Sequence, residues 1–299
     1  MSSASHLDRA SSDAGPASAS ANANADSASF SPAELSPATR ARNLFGWLFM
    51  LLTCVFLGPP IVLVQALLLP FGNAHRWGDF NVLWWVSTLR WLWRVEVTGD
   101  GLQHISPGST YVIACNHRSH LDPVATIVAL RRHLRFGFIV KRSLTLIPIW
   151  GWFIWMNGYV PVDRGRTNRR NDPVRAGVRY LKRGRSVLIY PEGTRAPDHR
   201  FLPFKKGAFL LALKAGVPIL PVVVSGTGDL LPKSRLFVRP GRVRVEVLPP
   251  IPTTGMSVEA RDALLEQVRD GIVGRYRMGA SEPPLEEQAP LRAALAPRR

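Results

Sequence analysis

Residues 111–124 read Tyr111-Val-Ile-Ala-Cys-Asn-His-Arg-Ser-His-Leu-Asp-Pro-Val124. The apolar run from Tyr111 to Cys115 reads as a short strand that passes into a polar turn. A helix is expected from about Asp122-Pro123 through Val124 to Leu130. His117 and Asp122 fall at this strand-to-helix junction. An imidazole placed there can take a proton from an alcohol, and a carboxylate can fix its tautomer and stabilise the imidazolium that forms. On a regular helix five steps of about 100° would point the two residues to different sides, so they meet only if the turn bends between them. Each also has a plainer role. Asp122 before Pro123 is an ordinary N-cap with proline at the first helical position, and loop histidines are usually solvated.

Around this stretch, from Val95 onward, strand and helix patterns alternate. Strands are expected near residues 95–99, 111–115, 135–140, 158–162, 186–190, 218–225 and 243–248, and helices over 123–132, 173–183, 207–216 and 258–276. Such alternation implies the α/β class: a layered, mostly parallel sheet flanked by helices. The chain then divides into a Ser- and Ala-rich disordered tail (1–42), membrane-associated helices (43–94), the α/β domain (95–278) and a flexible basic tail (279–299).

Residues 44–71 form the most hydrophobic part of the chain, with no charge and length enough to span a bilayer. Gly58-Pro59-Pro60 in its middle is expected to break or sharply turn the helix. A re-entrant helical hairpin therefore competes with one kinked span, and a buried core helix is the soluble alternative. The next segment, from Phe80 to Arg94, holds Trp84, Trp85, Trp91 and Trp93 with Arg90 and Arg94. It suits a helix at a membrane interface, or one packed as core.

The formal net charge is +17, which points to a polyanionic partner: nucleic acid, an anionic membrane surface or a phosphorylated substrate. With 46% hydrophobic residues and nine Trp, the chain is too apolar for a nucleic-acid tail. It has only Cys54 and Cys115, so no disulfide framework is implied. Cys115 lies two residues before His117 and raises the question of a thiol nucleophile, but it ends an apolar run. His117 and His120 lack further partners at metal-ligand spacing.

Three more strand exits carry polar groups. Tyr190-Pro-Glu-Gly-Thr-Arg195 follows an apolar strand. Gly193 permits close backbone approach to a ligand, Arg195 offers a planar fork for phosphate, and Glu192 can bond a hydroxyl or pair with Arg195. The same residues also suit an ordinary turn with a surface ion pair. Gly158-Tyr-Val-Pro-Val-Asp-Arg164 places Arg164 at a second exit, and Lys141 follows the strand at a third. Arg166, Arg169 and Arg170 read more simply as a basic loop facing anionic lipid.

Together, Asn116-His117-x-x-x-x-Asp122, Gly158-Tyr-Val-Pro-Val-Asp-Arg164, Tyr190-Pro-Glu-Gly-Thr-Arg195 and Val217-Pro-Ile-Leu-Pro221 resemble the four ordered blocks of the glycerolipid acyltransferases. The bacterial lysophosphatidate type is the nearest in pattern, over residues 95–248; Tyr190 replaces the commoner Phe. The resemblance implies a membrane-associated enzyme without a cofactor. It would move an acyl chain from acyl-CoA or acyl carrier protein, as co-substrate, to the free hydroxyl of a lysophospholipid drawn from the bilayer. His117 would be the base and Asp122 its orienter. Arg164, Arg195 and Lys141 would hold the acceptor phosphate, with Glu192 near the glycerol and Gly193 near the developing oxyanion. Lysophosphatidate is the expected acceptor, with lyso-ornithine lipid as an alternative. The expected place is the cytoplasmic face of the inner membrane, against anionic lipids. A non-catalytic basic membrane- or nucleic-acid-binding protein is the competing class. It leaves His117, Asp122 and Glu192 at strand exits without a reason, and no RNA-binding aromatic signature is present.

Overall fold

A computed structural model describes residues 35–72, 74–147, 150–157, 159–162, 173–196, 200–233 and 235–281. Its centre is a seven-stranded sheet of order β1-β7-β6-β2-β5-β3-β4. The strands are β1 (Val95–Asp100), β2 (Val112–Cys115), β3 (Phe136–Lys141), β4 (Val160–Val162), β5 (Ser186–Ile189), β6 (Ile219–Ser225) and β7 (Gly241–Val247). Each stands where the sequence pattern placed it, to within two residues at either end. Neighbours pair in parallel except β6 with β7. Parallel strands need helical crossovers that cover both faces, so the central strands are apolar on both sides. In β2, Ile113 and Cys115 enter one core, while Val112 and Ala114 enter the other.

The N-terminal helices differ from expectation in three ways. First, α1 (Pro37–Leu52) begins inside the stretch assigned to the tail, because the Ser36 hydroxyl accepts the Thr39 N–H and proline occupies the first turn. Second, Gly58-Pro59-Pro60 does not break the rod. A π-helical segment, Thr53–Leu57, leads directly into α2 (Gly58–Leu67), with the Gly58 N–H reaching back to the Thr53 carbonyl. This wider turn carries the helix into two residues that have no N–H to donate. The Thr53 hydroxyl, which accepts the Trp85 indole N–H at 2.9 Å, holds it against the next helix. The result is one helix of 31 residues, Pro37–Leu67, with an 18-residue stretch of mean hydropathy 2.3 and length enough to cross a membrane. The chain turns only over residues 68–72, where Gly72 takes a φ of +70°.

Third, α3 (Ala74–Leu92) is part of the domain core. Its Val82, Val86 and Leu89 join β2, β6 and α4 (Asp122–Leu130) on one face of the sheet. Trp84 and Trp91 are exposed, so α3 is packed as core on one face and carries indoles on the other. The start of α1 is docked as well. The Asn43 carboxamide exchanges hydrogen bonds with the Val238 backbone at 2.8 and 2.7 Å, and the Trp47 indole bonds the Leu236 carbonyl. On the opposite sheet face lie α6 (Pro173–Leu181), α7 (Gly207–Ala215) and α9 (Arg261–Ser281). Two short helices escaped the sequence patterns: α5 (Trp150–Met156) between β3 and β4, and α8 (Thr227–Leu230) after β6.

Candidate active site

Three adjacent parallel strands, β6, β2 and β5, release their chains at one sheet edge, where open α/β sheets carry their ligand sites. The Asn116 side chain extends the β2 ladder by one peptide, donating to the Val224 carbonyl and accepting its N–H, each at 2.8 Å. The turn then bends as the motif requires. His117 Nδ1 meets Asp122 Oδ2 at 2.8 Å, with Asp122 fully buried. The same Oδ2 accepts the N–H groups of Arg118 and Ser119 at 2.6 and 2.9 Å, so Asp122, the first residue of α4 rather than its N-cap, fixes the turn that leads into the helix and orients the histidine at once. Its Oδ1 accepts the hydroxyl of Thr227, the first residue of α8. A carboxylate on Nδ1 holds the proton of the neutral ring on that nitrogen, which leaves the Nε2 lone pair free to accept a proton.

His117 itself is clamped from the β5 exit. Its N–H donates to Glu192 Oε1 at 3.0 Å and its carbonyl accepts the Ala196 N–H at 3.1 Å. Tyr190 stacks on the imidazole, ring centroids 4.0 Å apart and 15° between planes. Burial pushes the Tyr190 phenol well above its usual pKa, so the stacked ring is neutral. Partial burial, then the Arg195 charge, lowers the His120 imidazole, which sets Arg195 beside this turn.

A cavity of about 560 Å³ opens at His117, and Gly193, Thr194, Arg195 and Lys205 line its polar side. Its apolar side lies in a fork of the sheet. Strand β3 pairs with β5 only as far as Phe138 opposite Leu188, and from Ile139 onward it pairs with β4. Phe138, Ile139, Leu188 and Val162 all face the cavity that this divergence creates.

The structure thus brings together His117, Asp122, Gly193 and Arg195. Glu192 is near them but turned inward: it is 2% exposed, and its second oxygen accepts the Leu202 N–H at 2.9 Å. Its place is between two loops rather than in a surface ion pair. Lys141 is exposed at the end of β3 and is absent from the cavity's lining among the described residues. Arg164 lies outside the described residues. Cys115 is fully buried, and burial, reinforced by Asp122 and Glu192, raises its thiol pKa, so no thiolate nucleophile is available there.

Two contributors were missed. Thr227 follows a Gly at the β6 exit and had no motif to mark it. Lys205 lies across Gly193, its Nζ 2.6 Å from where a β-carbon on that glycine would stand. A signal for it exists in Lys205-Lys206 at the start of α7, because cations are unfavourable at helix N-termini and need another reason to be there.

The acyltransferase family's sequence model matches residues 94–225. The chain is 34% identical over 190 residues to 1-acyl-sn-glycerol-3-phosphate acyltransferase alpha of Ovis aries, covering 63% of this chain and 66% of that protein. It is 32% identical over 247 residues to a chloroplastic 1-acyl-sn-glycerol-3-phosphate acyltransferase of Arabidopsis thaliana, covering 80% and 68%. It thus spans about two thirds of each relative's length. The chain belongs to the glycerolipid acyltransferase family. The crystal structure of the 1-acyl-sn-glycerophosphate acyltransferase of Thermotoga maritima superposes on this acyltransferase with a TM-score of 0.71 at 25% identity. The match covers 82% of this chain and 97% of that one, so the acyltransferase fold extends well beyond residues 94–225.

Proposed function

We propose that this acyltransferase converts 1-acyl-sn-glycerol-3-phosphate to phosphatidate, taking its acyl chain from acyl-CoA or acyl carrier protein. The observation that carries the proposal is His117 held by Asp122 at 2.8 Å at the mouth of a cavity that is cationic on one side and apolar on the other. In this reading Nε2 takes the proton of the acceptor hydroxyl as its oxygen attacks the thioester carbonyl carbon. The tetrahedral intermediate expels the thiolate, and the imidazolium returns the proton to the leaving sulfur. The acylated product carries the new ester, and the donor leaves as a thiol. Gly193 lines the same cavity as His117, and in this reading backbone beside it serves the oxyanion.

Arg195, Lys205 and Arg164 take the acceptor phosphate, the planar arginine fork matching two of its oxygens. The acyl chain takes the apolar fork between β3 and β5. No resident cofactor enters the reaction. The Pro37–Leu67 helix holds the protein at the cytoplasmic face of the cell membrane, where anionic lipids meet its positive charge.

Purified protein in vesicles, given labelled acyl-CoA and 1-acyl-sn-glycerol-3-phosphate, should form phosphatidate. His117→Ala should abolish turnover, and Cys115→Ala should retain it. Transfer to lyso-ornithine lipid but not to lysophosphatidate would move the assignment to the other acceptor. Normal turnover by His117→Ala would remove the mechanism.

A further inference from the structure

The connection between β3 and β4 carries no charged residue from Ser143 to Asn157, although much of it faces outward. Leu146 is 80% exposed, Trp152 69% and Trp155 72%, with Leu144 and Ile147 also exposed. Trp152 and Trp155 stand three residues apart on α5 and share its outer face. The inner face is packed: Ile154 is buried, and Phe153 lies against the core shared with α3 and α4. An outward indole pair on an uncharged segment is unfavourable in water and calls for an apolar partner.

The neighbourhood says what that partner is. Helix α5 packs on α2 and α3, and the Asn157 side chain after it approaches that of Gln65 in α2. Both neighbours also expose apolar residues, Leu63 and Leu67 on α2 and Phe80 on α3. The exposed cations Lys141 and Arg142 stand at the other end of the segment. A run of apolar side chains bearing indoles, bordered by Lys and Arg, is the arrangement that fits a bilayer surface. Hydrocarbon meets the aliphatic side chains, headgroups meet the indoles, and phosphates meet the cations.

We propose that residues 141–156 form a second membrane-contact surface beside the Pro37–Leu67 helix, separate from the catalytic residues. The inference rests on the reading that this helix sits in a membrane. Its consequence is positional. Ile139 of β3 and Val162 of β4 flank this connection and line the reaction cavity. Seating the connection on lipid therefore holds the cavity beside the bilayer, where a lysolipid can enter without crossing water.

The test uses the full chain with Cys54→Ala, in vesicles of phosphatidylethanolamine and phosphatidylglycerol, with an environment-sensitive fluorophore on one introduced cysteine. The positions are Trp155→Cys on α5, Leu51→Cys on α1 as the lipid reference and Lys214→Cys on α7 as the water reference. The label at 155 should be shielded from aqueous iodide like that at 51, while the label at 214 stays quenchable. Quenching at 155 with shielding at 51 overturns the inference and leaves the membrane helix standing. Quenching at both sinks the membrane reading and the inference together. Shielding at 155 that rises with protein concentration in the absence of lipid names a second copy as the partner, and also overturns it.

Activity supplies the other readout. Trp152→Ser with Trp155→Ser should slow transfer to vesicle-borne lysolipid by about tenfold, through loss of two apolar contacts. Transfer to a short-chain acceptor dissolved as monomer should be unchanged. Equal losses on both acceptors would assign the segment a structural role, and no loss on either would leave it no function at the membrane; both outcomes overturn the inference.

Discussion

Glu192 Oε1 accepts the backbone N–H of His117 at 3.0 Å, so a carboxylate from the β5 exit sets the position of His117 rather than contacting its ring. With Oε2 on the Leu202 N–H, both oxygens face backbone donors in a buried site. Glu192→Gln replaces one acceptor with an amide that points N–H at N–H. Leaving a buried donor unpaired costs about 1–3 kcal/mol. The expected outcome is a kcat lowered by about tenfold or more, with the KM for the acceptor unchanged. A raised acceptor KM at normal kcat would instead make Glu192 a substrate contact.

Thr227 gives Asp122 the hydrogen bond that fills its second oxygen. Thr227→Val keeps the shape and removes the donor; a hydrogen bond to a charged group is worth about 1.5–3 kcal/mol. Turnover should fall by about tenfold, less than for Asp122→Asn, which disturbs the histidine tautomer itself and should cost about a hundredfold or more. Steady-state kinetics on both variants checks the order. Equal rates for Thr227→Val and wild type would mean that Asp122 orients His117 without help from α8.

Gly193 has a φ of +73° with Lys205 Nζ against it, whereas Gly184 has a φ of +71° and nothing within 4 Å of a β-carbon. Alanine at either site pays the left-handed backbone cost of about 1–2 kcal/mol. Only Gly193→Ala must also displace the lysine. Both variants should lose thermal stability to a similar extent, but only Gly193→Ala should lose activity. Parallel melting and rate measurements separate the two effects.

Burial raises the Tyr159 phenol from its ordinary value near 10 to about 12. The unfolded chain therefore gives up this proton at a lower pH than the folded protein does. The corresponding stability is present below pH 10 and is lost as pH rises from about 10 to about 12. Tyr159→Phe removes the group, so its denaturation midpoint should fall less steeply over that window than the wild type's. Identical slopes would show that Tyr159 is hydrated in the folded protein.

Strands β2 to β6 were legible as apolar runs ended by polar, Gly or Pro residues, the pattern of strands buried on both faces, whereas β1 and β7 were legible as valines alternating with polar residues, the pattern of strands with one face exposed. The pairing of His117 with Asp122 was legible for a related reason: a strand, a short turn and an Asp-Pro helix start leave few ways to route the chain. Alternation with the strands foresaw α4, α6, α7 and α9, while α5 is a seven-residue uncharged segment with no polar side to mark it.

Residue types and local spacing by themselves determined the α/β class and the strand order along the chain, and raised the pairing of His117 with Asp122. The tertiary structure decided what depends on contacts between distant segments. It turned Glu192 inward onto His117 N–H, brought Thr227 to Asp122 across 105 residues, and laid Lys205 over Gly193. It also carried one helix through Gly58-Pro59-Pro60, where local rules call for a break, by widening the turn and tying Thr53 to Trp85. Those outcomes rest on partners that the fold supplies, and a partner a dozen or more residues away leaves no mark in local periodicity.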